Sequence, residues 1–408
     1  MEKLFVRKYY LDELVRLKDQ HFIKVLTGIR WSGKSTILLQ FQEILKNNFK
    51  IEESQIIEYD FNDLELQSLT YIELHKEIIK KANPHKTNYV FLDEIQEIKN
   101  WEKCVISLYE NKKIKFDIYI TGSNAKLLST ELSTLLTGRH TDIHVMPLSF
   151  KEFIELSDSK YKENPALLDY LKIGGLGVII PILNDYKQIS EVLKDIFNDT
   201  ITKDIKHRHK NQNNLLINKI IEYVYTNIGK QINPENIINY LVSKKEGTFD
   251  KKTINNYLTW ACDAMLLYRV NYFDIKTKTI LRTSGKYYAG DLGLLTANTN
   301  FNDNINGYKL ENAVFLKLIE MGYDVFTNEI YNGKGNKEID FVAVKNQKVS
   351  YFQVCAILHD DNYEREVGNL LSIRDGFSKN VVILEDKSTK PFDGVNRINL
   401  IEFLKGKF

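Results

Sequence analysis

Along the first 150 residues, short apolar runs alternate with longer segments of helical period. "HFIKVLTG", "SQIIEYDFN", "TNYVFLDE" and "KFDIYITGSN" are too short for helices and end in polar residues or glycine, whereas Ser35–Asn47 and Glu65–Ala82 carry apolar residues at helical spacing. Near-continuous apolar strands separated by helices describe βαβ units around a parallel sheet buried on both faces. In such a sheet, chemistry belongs at the carboxyl ends of the strands.

From Pro147 to about residue 290 the pattern turns mainly helical. "LLINKIIEYVYTNIG" has helical spacing and stops at Gly229, and "DKKTINNYLTWACDAMLLYRV" predicts a second long helix. "YFDIKTKTILRTSGKYYAGD" predicts a hairpin turning near Lys276–Lys278, so the whole stretch suggests a winged helix-turn-helix. Beyond the polar bridge "NTNFNDNINGYK", the helix "LENAVFLKLIEMG" and the strands "KEIDFVAV", "VSYFQVCAI" and "NVVILED" predict another α/β unit.

Composition narrows the setting. A chain of 408 residues exceeds one ordinary core, and 43% hydrophobic with 27% charged residues describes a globular protein. The net charge of +2 is too small to attract a polyanion globally, so any nucleic-acid surface has to be a local patch. Cys104, Cys262 and Cys355 have neither a disulfide nor a metal spacing, and no run reaches membrane-spanning length, the closest being "GLGVIIPIL". A cytoplasmic location is expected, with no membrane partner.

The stretch from Gly28 to Ser35, "GIRWSGKS", fits G-x-x-x-x-G-K-[ST] at every fixed position, with a strand before it and a helix after it. Glycines let backbone N–H groups turn inward around a phosphate, a lysine adds a point charge and the next hydroxyl can ligate Mg²⁺. Gly28, Arg30, Ser32, Gly33, Lys34, Ser35 and Thr36 are therefore the candidate nucleotide-binding residues. In "YVFLDEIQ", Asp93 and Glu94 directly follow an apolar strand. With Ser35, Asp93 can hold the metal, and Glu94 can polarise an attacking water. The strand "FDIYITGSN" brings Thr121, Ser123 and Asn124 to the same edge as candidates to sense the γ-phosphate or orient that water. Arg139 is a candidate arginine finger, its competing reading being an ordinary surface arginine.

Taken in order, "GIRWSGKST", "FLDEIQ", "ITGSNAKLLS", "LTGRHTDIHVMPLSFKEF", "YLKIGGLG", "KYYAGDLGL", "LENAVFLKL" and "EIDFV" resemble the prokaryotic AAA-type ATP-binding proteins with a carboxyl-terminal domain of uncharacterised function, close to the archaeal ATPase and STAND groups. The resemblance runs almost end to end. It implies an α/β protein with a P-loop AAA-like domain at 1–150, a helical lid at 151–200, a winged helix at 201–297 and a restriction-endonuclease-like tail at 305–408. It also implies ATP and Mg²⁺ as cofactors, Asn124 at the sensor position and Arg139 at the finger position. Trp31 stands where the family usually has arginine, and Gly177 where it generally has proline, which puts a lid contact to the nucleotide base in doubt.

A tail of restriction type needs an acid on a helix, an acid at a strand end and a (D/E)xK on the next strand. Glu311 and Asp340 take the first two places, but the third reads Gln353-Val354-Cys355, and Lys317 is six residues from Glu311, off its helical face. A fold retained for binding is expected, rather than an intact nuclease. Lys203, Lys206, His207, Arg208, His209 and Lys210, with Lys251 and Lys252, form a basic face suited to duplex DNA, against the competing reading of a solvated surface. The expected function is a Mg²⁺-dependent ATPase that moves its winged helix and tail. The alternatives are a slow nucleotide switch acting on a protein partner, and an ATP-gated nuclease. A homo-oligomer is compatible with each.

Overall fold

The computed structural model describes residues 5–123, 136, 138–157, 163–206, 214–275, 277, 279–299, 307–331 and 336–408. The chain divides into two compact units, Met1–Pro147 with Asp263–Met265, and Leu148–Cys262 with Leu266–Phe408.

In the first unit, β1 (Ile23–Thr27), β2 (Ile56–Asp60), β3 (Asn88–Asp93), β4 (Phe116–Gly122) and β5 (His140–His144) form a sheet of order β2-β3-β4-β1-β5. Every pairing is parallel. Because β4 lies between β1 and β3, the phosphate loop after β1 and the carboxylates after β3 flank the end of β4. Side chains alternate across the strands, and both faces are covered. Tyr89 and Phe91 pack with Phe41 and Leu45 of α2 (Lys34–Asn47) and with Leu11 and Leu14 of α1 (Lys8–Leu17). Val90 and Leu92 point the other way, toward Leu74, Ile78, Val105 and Leu108.

The helix expected over Glu65–Ala82 is two, α3 (Leu64–Gln67) and α4 (Tyr71–Lys81). The break has a local cause: Thr70 and Glu73 form a capping box that starts α4 afresh, a T-x-x-E signal present in the sequence. A less expected feature is the buried ion pair of Lys24 on β1 with Asp117 on β4, inside an otherwise apolar strand pair.

The second unit opens with helices, among them Phe150–Leu156, Glu163–Ile173 and Tyr186–Thr200. Next come the helix Asn214–Thr226, β6 (Gln231–Ile232), the helices Pro234–Ser243 and Lys251–Asp263, and the antiparallel hairpin β7 (Leu267–Asp274) and β8 (Thr279–Ala289). The long helix expected to reach Val270 therefore stops at Asp263, and Leu267–Val270 are strand. A short apolar run satisfies either period, and pairing with β8 settles it. The residues expected at the hairpin turn, Lys276 and Lys278, lie outside the described residues.

The tail adds β9 (Asp324–Tyr331), β10 (Asn336–Lys345), β11 (Lys348–Leu358), β12 (Ser378–Asp386) and β13 (Asn396–Asn399). Among the described residues these join the hairpin in one eight-stranded sheet, β13-β12-β11-β10-β9-β7-β8-β6, through a parallel contact of Tyr272 with Thr327. Two distant sequence blocks also meet. Asp291, from "KYYAGDLGL", is buried and accepts hydrogen bonds from the N–H groups of Gly175 at 2.8 Å, Gly293 at 2.8 Å and Leu294 at 3.0 Å. Gly175 belongs to "YLKIGGLG" and has no room for a side chain, since a Cβ would stand 2.3 Å from the Leu148 carbonyl oxygen.

Candidate functional site

The loop between β1 and α2 holds the first group of candidates. Gly33 sits at φ 94°, a conformation that favours glycine, and precedes α2 with no side-chain cap, so the first N–H groups of the helix are available to an anion. Gly28 is required for space, because a Cβ there would stand 2.2 Å from the Val145 carbonyl oxygen. Among the described residues, the buried hydroxyls of Thr27 and Ser32 have no hydrogen-bond partner, so the cradle presents polar atoms suited to a ligand rich in oxygen. Ser35 is exposed and Thr36 half-buried at the start of α2. Trp31 projects into solvent, 56% exposed, so its ring replaces the family's arginine outside the cradle.

Lys34 is buried and donates to the carbonyls of Gly28 at 2.9 Å and Ile29 at 3.3 Å, and its Nζ stands 3.7 Å from Glu94 Oε1. The Ser35 hydroxyl is near enough to Asp93 to lower its pKa, so the two groups expected to share a metal are neighbours. Burial raises the pKa of Asp93, opposed by the hydroxyls of Ser35 and Thr121. At Glu94 burial pushes upward too, but the positive charges of Lys34 and Arg30 outweigh it and hold the carboxyl below its ordinary value. Glu94 takes a left-handed backbone with φ 52°, an uncommon and costly state for a residue with a side chain.

The edge of β4 clasps this pair. The Thr121 hydroxyl donates to Asp93 and accepts from the Glu94 N–H at 2.8 Å, and Ser123 hydrogen-bonds to the Glu94 carboxylate. Gln96 donates to Glu94 as well. Asn124 lies outside the described residues. Arg139 is at the opposite edge: its carbonyl accepts from Ile23 N–H where β1 begins, one strand length from the phosphate loop, and its guanidinium pairs with Glu110 at 2.8 Å. It cannot reach the cradle of its own chain.

Sequence reading missed His144 at the carboxyl end of β5, paired in register with Thr27. Burial, then the charge of Lys34, pushes its pKa down to about 4. The unfolded chain therefore binds this proton more readily, and stability falls as pH drops from about 6.5 toward 4, by at most about 3 kcal/mol. His144→Asn is expected to flatten that limb in denaturant titrations run across this range, and an unchanged slope would refute the assignment.

The tail candidates also converge, around a cavity of about 580 Å³. Glu311 projects from the helix Gly307–Glu320, Asp340 from β10 and Gln353 from β11, all buried. Asp340 Oδ2 accepts from Val354 N–H at 2.8 Å, Gln353 Oε1 from Asp340 N–H at 3.4 Å, and Gln353 Nε2 donates to Glu366 at 3.1 Å. A buried ammonium from another element stands beside these acids. Lys286 of β8 is buried, 3.4 Å from Glu311 Oε1 and paired with Glu338. Lys317 turns away to Glu320 at 2.9 Å. Burial raises the pKa of Glu311, opposed by Lys286, and raises that of Asp340 strongly, with the Glu311 charge adding to it. No periodicity or motif in the sequence pairs Lys286 with these acids.

Of the basic face, Lys251 pairs with Glu235 at the start of the helix Lys251–Asp263, Lys203 pairs with Asp199 at 3.3 Å, and residues 207–210 lie outside the described residues. At Gly177 a Cβ would meet only Leu148 Cδ1 at 3.9 Å, so nothing in its surroundings demands glycine. Among the described residues no helix is long and apolar enough to cross a membrane.

Comparison with known proteins places this geometry. Residues 20–154 match a family described as an AAA domain, and residues 164–304 match a domain of unknown function. An uncharacterised protein of Haemophilus influenzae is 33% identical over 405 residues, covering 98% of each chain. One from Methanocaldococcus jannaschii is 34% identical over 357 residues, 85% of this chain and 77% of that one. Among solved structures, a Walker-type ATPase of Pyrococcus abyssi superposes with a TM-score of 0.52 at 16% identity, covering 72% of this chain and 96% of that one. That similarity is one of fold.

Proposed function

The chain belongs to the family represented by the Haemophilus and Methanocaldococcus proteins, with an AAA domain at its amino-terminal end, and from that premise we propose that it is a Mg²⁺-dependent ATPase whose nucleotide cycle moves the attached lid, winged helix and tail. The observation that carries this reading is the joining of loop and strand motifs: Lys34 faces Glu94 at 3.7 Å, and Ser35 is near enough to Asp93 to lower its pKa. ATP phosphates would be held by the N–H groups around Gly33, by Lys34 and by the hydroxyls of Ser32, Ser35 and Thr36. Ser35 and Asp93 would hold Mg²⁺, which would supply charge neutralisation at the phosphates. On binding, Lys34 exchanges the carbonyls of Gly28 and Ile29 for phosphate oxygens. Glu94, kept ionised by Lys34 and Arg30, accepts the proton of the attacking water. Asn124 is assigned to orient that water, and Arg139 to act on a neighbouring chain's nucleotide, since its own cradle is out of reach.

The helix–strand–helix–helix–hairpin order from Asn214 to Ala289 supports a winged helix, with Lys251 and Lys252 at the positive end of its last helix facing duplex DNA. We read the tail, 305–408, as a restriction-like fold used for binding rather than cleavage, since Gln353 and Cys355 stand in the catalytic places. A second reading, a slow switch acting on a protein partner, is favoured by one observation: Gln96 and Ser123 both hold the Glu94 carboxylate and compete with water for it.

The test is ATP turnover by the full chain with Mg²⁺, over a dilution series, with and without linear duplex DNA. Lys34→Ala is expected to reduce turnover to background, and the parent's activity to rise faster than linearly with concentration as Arg139 meets its neighbour. Turnover unaffected by Lys34→Ala refutes the ATPase reading. Bound nucleotide with negligible turnover supports the switch.

A further inference from the structure

Neither the phosphate motif nor the strand motif accounts for Arg7. It immediately precedes α1, and its side chain is buried, with the residue 6% exposed. Nη1 donates to the Ser32 carbonyl at 2.9 Å and to the Met146 carbonyl at 2.8 Å, and Nη2 donates to the Pro147 carbonyl at 3.3 Å. The guanidinium carbon lies 4.6 Å from the centroid of the Tyr10 ring, and the Tyr10 hydroxyl accepts from Met146 N–H at 3.0 Å. Ser32 belongs to the phosphate loop. Met146 and Pro147 follow β5, and Pro147 is the last residue of the first unit before the chain continues into the second.

A phosphate loop works when successive N–H groups point inward, which turns the intervening carbonyls outward. An outward carbonyl that is buried needs a donor, or the loop relaxes toward conformations that satisfy it and misdirect the N–H groups. Ser32, immediately before Gly33 and Lys34, is buried. A guanidinium offers five donors in a rigid planar fork and holds several carbonyls in one fixed arrangement, which a single ammonium does less well.

We propose that Arg7 is a positioning residue of the nucleotide site: it holds the Ser32 carbonyl outward so that the loop is set for phosphate, and through the same guanidinium it makes the Met146–Pro147 exit segment respond to nucleotide. This rests on the ATP reading above. When Lys34 leaves the carbonyls of Gly28 and Ile29 for a phosphate, the loop rearranges around Ser32. Arg7 carries that rearrangement to the two carbonyls through which the chain leaves the unit.

The experiment is calorimetric titration of the full chain with Mg²⁺-ATP, together with amide exchange at Val145 and Met146 with and without nucleotide. Arg7→Ala is expected to weaken ATP binding by at least about tenfold and to abolish the nucleotide-dependent change in exchange. Guanidinium ion at a non-denaturing concentration should restore its affinity, whereas methylammonium should not. Arg16→Ala, on the same helix but in an exposed pair with Glu13, should bind as the parent does. If Arg7→Ala does not fold, Arg7→Lys carries the same comparison and is expected to bind more weakly than the parent. Parental affinity in whichever folded variant is measured overturns the proposal while leaving the ATP reading intact. Weak binding that guanidinium rescues no better than methylammonium also overturns it, as the effect is then general loosening. A parent chain that binds no nucleotide overturns both readings.

Discussion

Glu94→Gln is expected to hold ATP about as tightly as the parent chain and to hydrolyse it about 10²- to 10⁴-fold more slowly. The substitution keeps the size of the side chain and its ability to bond Gln96 and Ser123, but removes the negative oxygen proposed to accept the proton from water. The effect should be large because the base is present in the right form at neutral pH. Burial pushes Glu94 toward the protonated state, and Lys34, 3.7 Å away, with Arg30, reverses that push. The acidic limb of parental turnover should accordingly fall below the ordinary glutamate range. Single-turnover phosphate release beside an ATP titration separates chemistry from binding, and a loss smaller than about threefold would remove Glu94 from the base role.

The second large effect concerns stability. Lys286→Met should destabilise the second unit by about 3–5 kcal/mol near neutral pH, because it leaves the buried Glu311 and the adjacent Glu338 without their shared cation. The sign of the pH dependence follows from the carboxylates. A buried acid whose folded pKa is raised binds a proton that the unfolded chain has released, so the penalty grows as pH rises above the unfolded acid range. Glu311 and Asp340 are raised even with Lys286 present, and removing the cation raises Glu311 further. The deficit of Lys286→Met should therefore shrink toward acid pH, and Glu311→Gln in the same chain should recover part of it. Denaturant unfolding of each variant at two pH values measures both, and a deficit below about 1 kcal/mol at neutral pH would show that the ammonium is not needed by its neighbours.

Local patterns carried much of the first unit. The strands ending at Thr27, Asp93 and Gly122 were legible because a parallel sheet buried on both faces imposes uninterrupted apolar runs, and the phosphate loop because its glycines are demanded by backbone geometry alone. The split of Glu65–Ala82 was also written locally, in the cap formed by Thr70 and Glu73. "LLYRV" was not legible, because in a run that short helix and strand periods coincide and only the partner strand distinguishes them.

By itself, then, the sequence determined which loop is shaped for phosphate, which carboxylates end another strand of the same sheet, and that the tail strand after Asp340 carries Gln353 and Cys355 rather than an acid and a lysine. Those features depend on residues adjacent in the chain, whose spacing sets their geometry. Tertiary structure decided the rest: Thr121 clasping Asp93 and Glu94, His144 held neutral beside Lys34, Arg139 placed at the far edge of its own sheet, Arg7 joining Ser32 to Pro147, and Lys286 delivered among the tail acids. Each joins side chains or carbonyls from separate chain segments, so it exists only once strand order and register bring them together, and no periodicity along the chain records it.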